Sequence, residues 1–129
     1  MERCKLLAFL LCEKATSGPG GKVTLQGLFD RIIIPRIPAS PRLFFVFYRI
    51  VVKAPCSISL RVVNAAGREI PGNWRDVLAE TGPMQAVWAL SSNLFQQPGP
   101  YVLELRQEAE GVETIPLSST VLFVDEEGN

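Results

Sequence analysis

Leu43-Phe44-Phe45-Val46-Phe47-Tyr48-Arg49-Ile50-Val51-Val52-Lys53 is the most apolar stretch of the chain, and its make-up is that of a β-strand. Aromatic and β-branched residues dominate it, and no helical period runs through it. Phe44, Val46, Tyr48 and Ile50 share one parity, while Leu43, Phe45, Phe47 and Val51 share the other. An extended backbone sends these two sets to opposite faces, so both faces of the strand need a cover. The next segment follows a different rule. Ile58, Leu60 and Val62 alternate with Ser57, Ser59 and Arg61, which gives one core face and one wet face.

Working outward, the same punctuation recurs in both directions. Downstream, Asn64-Ala65-Ala66-Gly67 turns the chain into a short return through Arg68 and Ile70. Asn73 to Thr81 reads as a polar connector holding Trp74 and Leu78, with room for one helical turn, and Gln85 to Leu90 resumes β character with Ala86, Trp88 and Leu90 inward. Gln97-Pro98-Gly99-Pro100 is a turn, followed by Tyr101, Leu103 and Leu105 alternating with Val102, Glu104 and Arg106. Glu108-Ala109-Glu110-Gly111 closes a hairpin onto a last strand from Leu117 to Val124, and the acidic tail Asp125, Glu126 and Glu127 is expected to fray. Upstream, Leu6 to Glu13 is apolar on both parities and reads as a second central strand. Ser17-Gly18-Pro19-Gly20-Gly21 makes a turn, and Val23, Leu25 and Phe29 open a strand that passes a bulge at Gly27 on its way to Ile32-Ile33-Ile34. Pro35, Pro38 and Pro41 end it. Short strands at this spacing, without repeats, predict one all-β domain over residues 1–129, an antiparallel sandwich of seven to eight strands.

Composition removes several function classes. The 13 basic and 13 acidic residues cancel, so the excess positive charge on which nucleic-acid affinity rests is missing. The absence of histidine takes away the commonest general base and metal ligand. Cys4, Cys12 and Cys56 are odd in number and lack C-x-x-C spacing, which predicts buried free thiols in a reducing cytoplasm rather than a disulfide framework or a zinc site. The apolar run Leu6–Cys12 is cut at Glu13-Lys14, at the minimum length for a signal peptide, and Leu11 is too bulky for a lipoprotein cleavage site. No segment approaches the roughly 20 apolar residues of a membrane span.

Leu94-Phe95-Gln96-Gln97-Pro98-Gly99-Pro100-Tyr101 resembles the approach to the tyrosine corner of immunoglobulin-like and fibronectin-like sandwiches. The resemblance implies that the Tyr101 hydroxyl bonds back to the backbone. The combination of Ala8-Phe9-Leu10-Leu11-Cys12-Glu13, Gly21-Lys22-Val23-Thr24-Leu25-Gln26-Gly27-Leu28-Phe29-Asp30-Arg31-Ile32 and the Pro-Gly-x-Tyr hairpin is similar to an uncharacterised prokaryotic family of unknown function. That likeness implies an immunoglobulin-like antiparallel sandwich and brings no activity with it.

Chemistry-bearing residues are few. Glu13 and Asp30, with Arg31 and Arg36, are the candidates for acid–base work, but no nucleophile motif accompanies them. Gly18, Gly20 and Gly21 read as turn residues rather than a phosphate loop. Arg42, Arg49 and Arg61 could share one sheet as a solvated face, and Glu108, Glu110 and Glu113 could flank a solvated turn or a calcium ion. No cofactor or metal is expected. The leading expectation is a non-enzymatic interaction or assembly module binding itself, as a homo-oligomer, or another protein. Phe45, Phe47 and Arg49 are its candidate contacts. Two covers for the outer face of the 43–52 strand stand level: the proline-rich loop with the 73–84 connector, or another subunit. The alternative is a small-ligand or carbohydrate-binding sandwich that stacks its ligand on Trp74 and Trp88, with an enzyme third.

Overall fold

The computed structural model describes residues 3–34, 43–70, 77–91, 94–95, 97–109 and 112–126. Its strands are β1 (Cys4–Ser17), β2 (Val23–Leu28), β3 (Arg31–Ile34), β4 (Leu43–Val52), β5 (Cys56–Val63), β6 (Val77–Ala79), β7 (Gly82–Ser91), β8 (Gly99–Ala109) and β9 (Val112–Glu126). They form two sheets, one in the order β2-β1-β4-β7 and one in the order β3-β9-β8-β5-β6. The sheets stack as an immunoglobulin-like sandwich. No helix among the described residues is long and apolar enough to cross a membrane.

The parity of β4 and β5 dictates how the sheets face each other. Phe44, Val46, Tyr48, Ile50 and Val52 are buried on one side, against Ile58, Leu60 and Val62 of β5 and Leu103 and Leu105 of β8. Leu122 and Val124 of β9 complete that layer. Removing each of these side chains from water stabilises the sandwich by roughly 1.5–3 kcal/mol. Phe9 and Trp88 pack against both halves of the core. At one end Tyr101 is the expected corner: its hydroxyl donates to Gln97 O at 2.7 Å, and its ring meets Phe95 edge-on at 4.8 Å.

Nine strands are described where seven to eight were expected, because β3 and β6 are short elements of their own, and four further expectations change. The segment after Gly27 does not continue in its own sheet. Gly27 takes φ +70, and a Cβ there would lie 2.8 Å from Glu13 Oε2, so glycine permits both the turn and the close approach. Phe29 N then bonds Leu11 O at 3.3 Å, Phe123 N donates to Asp30 O at 2.8 Å, and β3 joins the opposite sheet parallel to β9. The acidic tail is ordered through Glu126, because Ile33 and Ile34 pair with Asp125 and Glu126 and Arg31 forms an ion pair with Asp125. Glu127 lies outside the described residues. Arg49 and Arg61 do not share a sheet. The 53–55 turn carries the chain from β4 across to β5 in the facing sheet, and Arg42 lies outside the described residues. Finally, the 73–81 connector holds β6, paired with Cys56–Ile58, and the Arg68–Ile70 return is a single bridge between Val63 and Glu69.

Candidate interaction face

The outer face of the β2-β1-β4-β7 sheet is built from residues opposite in parity to the core. Cys12, Phe45 and Ala89 form one cross-strand row, Leu10, Phe47 and Val87 the next, and Ala8, Arg49 and Gln85 a third. A bare sheet surface would leave such a set wet, yet Phe47 is 5% exposed and Cys12 0%. The hydrogen bonds supply the reason. Gln85 Oε1 accepts from Arg49 Nε at 3.2 Å and Nη2 at 2.8 Å, while Gln85 Nε2 donates to Gly21 O at 2.6 Å.

Gly21 belongs to the 3-10 turn Pro19–Gly21, which joins β1 to β2. Gln85 is in the row of Ala8, and a straight β1 would carry Ser17 about 30 Å beyond that row at ~3.3 Å per residue. A hydrogen bond from Gln85 to the tip therefore requires the β1–β2 hairpin to double back across the outer face. Ala15, Val23 and Leu25 are its half-buried residues, while Lys14, Thr16, Thr24 and Gln26 stay exposed. The chain's own hairpin is thus a cover for β4 that neither earlier option named.

The expected contacts separate accordingly. Phe47 lies buried in the floor, Phe45 is half-buried, and Arg49 is exposed, with its guanidinium carbon 5.8 Å from the Phe47 ring centre and its donors on Gln85. What remains open around the hairpin is aliphatic. Leu43 and Leu28 are each 61% exposed and Leu10 38%. Leu43 precedes Phe45 by one outward position on β4, and Leu28 pairs with Cys12. The spacing of Leu43 and Leu28 marked them as apolar but could not distinguish them from core residues.

A family model described as a family of unknown function, DUF6941, matches residues 7–119. The chain belongs to this family. No curated protein matches it by sequence. Among solved structures, the C-terminal domain of wzt superposes with TM-score 0.58 at 10% identity, covering 96% of this chain and 74% of that one. A GH3 β-glucosidase from Bifidobacterium adolescentis superposes with TM-score 0.51 at 12% identity, covering 98% of this chain and 18% of the enzyme. At such identities the likeness is one of fold.

The other candidate residues of this DUF6941 chain are dispersed. Trp88 is half-buried, packs against the core and meets buried Tyr48 edge-on at 5.2 Å; Trp74 lies outside the described residues. Glu13, Lys14 and Arg31 line a cavity of about 480 Å³ with Phe29, Leu43 and Phe44. Asp30 is exposed and uses its carbonyl on Phe123, and Arg36 lies outside the described residues. Glu108 sits beside Arg106 Nη2 at 3.3 Å and accepts from Ser59 Oγ at 3.4 Å; of Glu110 and Glu113 no side chain is described. Among the described residues no three metal-ligating side chains converge.

The thiols are the groups whose chemistry the fold alters most. Cys4 and Cys56 lie sulfur to sulfur at 3.1 Å in the interior. Burial, then the hydrogen bond and charge of Cys56, push the Cys4 thiol up to about 12. Burial also raises Cys12, partly opposed by the Lys14 backbone.

Proposed function

We propose that this chain is a non-enzymatic protein-interaction module that docks a protein partner on the outer face of the β2-β1-β4-β7 sheet, beside the folded-back hairpin. The supporting observation is the exposure of Leu43 and Leu28 at 61% each and Leu10 at 38%, around half-buried Phe45, on a face where Phe47 and Cys12 are already covered. The buried free thiols favour a reducing compartment such as the cytoplasm.

The test compares wild-type protein with Leu43→Asp, using size-exclusion chromatography with light scattering and affinity capture from host lysate. Leu43 is on the surface, so the variant keeps its fold and loses a stoichiometric partner or a self-associated state. Equal capture and equal mass for the two proteins overturn the reading. A small-ligand reading is favoured by the cavity of about 480 Å³ walled by Glu13, Lys14 and Arg31. Calorimetric titration with anionic metabolites tests it, and no heat at millimolar ligand counts against it.

A further inference from the structure

Cys4 opens β1 in one sheet and Cys56 opens β5 in the facing sheet, so their 3.1 Å contact is the point where a single covalent bond could join the two layers. The separation is only about 1 Å more than a disulfide bond. The backbone around the pair is held from both sides. Gln107 Oε1, on β8, accepts from Arg3 N at 2.9 Å and from Cys4 N at 3.1 Å. Arg3 O in turn accepts from Lys53 N at 2.6 Å and Ala54 N at 3.3 Å, in the turn that leads into Cys56. The third cysteine offers no competition within the fold. Cys12 lies on the outer face, eight residue steps along β1 from Cys4, or about 26 Å at ~3.3 Å per residue.

We propose that Cys4 and Cys56 are a redox-responsive pair that closes into an inter-sheet disulfide when the protein folds in the presence of a small-molecule disulfide of the glutathione type. The step is thiol–disulfide exchange. Cys56 gives up its proton, and its sulfur attacks one sulfur of R–S–S–R; that S–S bond breaks, and the departing thiolate takes the proton as RSH. Cys4 then loses its proton, attacks Cys56 Sγ in the mixed disulfide, and expels the second RSH. Two protein thiols are oxidised and one small disulfide is reduced to two thiols.

In the closed sandwich, burial keeps the Cys4 thiol protonated and screened from the reagent, so exchange runs while the chain folds or opens locally. Under reducing conditions the two groups stay thiols. Closing the Cys4–Cys56 loop restricts the unfolded chain, and a loop of that length raises the melting temperature by about 10 °C.

The experiment is to refold the full chain from urea in glutathione buffers ranging from fully reduced to fully oxidised. Intact mass, non-reducing peptide mapping and the melting temperature are then recorded. The expected result is a mass lower by two hydrogens, a linked peptide pair containing Cys4 and Cys56, and a melting temperature raised in the oxidised sample and restored by reductant. Cys12→Ser is expected to pair as the wild type does, and Cys56→Ser is expected to keep an unshifted melting temperature in both buffers. Glutathione adducts without the linked peptide, a link through Cys12, or a Cys4–Cys56 link that leaves the melting temperature unchanged or lower would overturn the proposal.

Discussion

Tyr48 carries a polar atom into the core, where no described residue receives it. The residue is 0% exposed, and its hydroxyl is buried without a hydrogen-bond partner among the described residues. Burial, and then the neighbouring Cys4, push the phenol up to about 12, so the group stays a neutral hydroxyl. Taking a hydroxyl out of water without compensation costs about 1–3 kcal/mol. The ring itself is well used, since it meets Trp88 edge-on at 5.2 Å and belongs to the half of the core that holds Ile50, Ile58 and Leu105. Tyr48→Phe keeps that ring and removes only the oxygen. The variant is therefore expected to be more stable than wild type by about 1 kcal/mol, the low end of the desolvation range, because a small void replaces the oxygen. Urea unfolding in reductant reads this as a higher midpoint with an unchanged slope, and the melting temperature should rise by about 3 °C for a domain of this size. A loss of 1 kcal/mol or more would refute the reasoning, since it would mean that the hydroxyl has a partner such as a buried water.

Two further outcomes follow from the same contacts. Gln85→Ala removes both the acceptor for Arg49 and the donor to Gly21; amide exchange across the 3-10 turn and β2 should rise at least tenfold while the amides of β5 and β8 are unchanged, and uniform protection would mean that the hairpin is held otherwise. Stability should also fall at high pH. Cys4 has an ordinary thiol value near 9 when unfolded and about 12 when folded, so between these values the folded state binds the extra proton and unfolding becomes easier as pH rises. One such group removes about 1.4 kcal/mol per pH unit across that window, and Tyr48 adds its own share above pH 10; Cys4→Ser should make the slope shallower, most clearly between pH 9 and 10, and equal slopes in the two proteins would exclude Cys4 as a source.

Legibility in the sequence followed the range of the interaction. The alternation at Ile58, Leu60 and Val62, and again at Tyr101, Leu103 and Leu105, is written by neighbours two residues apart, and both strands and their inward faces match it. The Tyr101 corner was likewise readable, because its hydroxyl reaches back only to Gln97. Gly27 was visible as an irregularity, but its consequence was not. Whether a glycine at positive φ produces a bulge or a change of sheet is settled by pairing far along the chain, here between Arg31–Ile34 and Phe123–Glu126. The cysteines show the same limit. An odd count with irregular spacing predicted buried free thiols, and all three are buried and free; what the spacing did not show is that the 53–55 turn, which moves the chain from one sheet to the other, brings Cys56 to Cys4.

The outer face of β4 shows why two-sided apolarity is a weak sign of assembly. Both parities of Leu43–Val52 are apolar, and that pattern demands a cover without naming one. A hairpin from the same chain meets part of the demand at the entropic cost of ordering its tip, whereas a second molecule must also lose its translational freedom. Arg49, Gln85 and Gly21 are the polar groups that tie the tip down, and they come from three separate elements, so no local pattern announces them. The apolar surface available to a partner is therefore what the hairpin leaves, Leu43, Leu28 and Leu10 around Phe45, rather than the whole strand. Phe47, which the sequence marks as strongly as Phe45, belongs to the fold, and a charge placed there is expected to unseat the hairpin before it disturbs any interface.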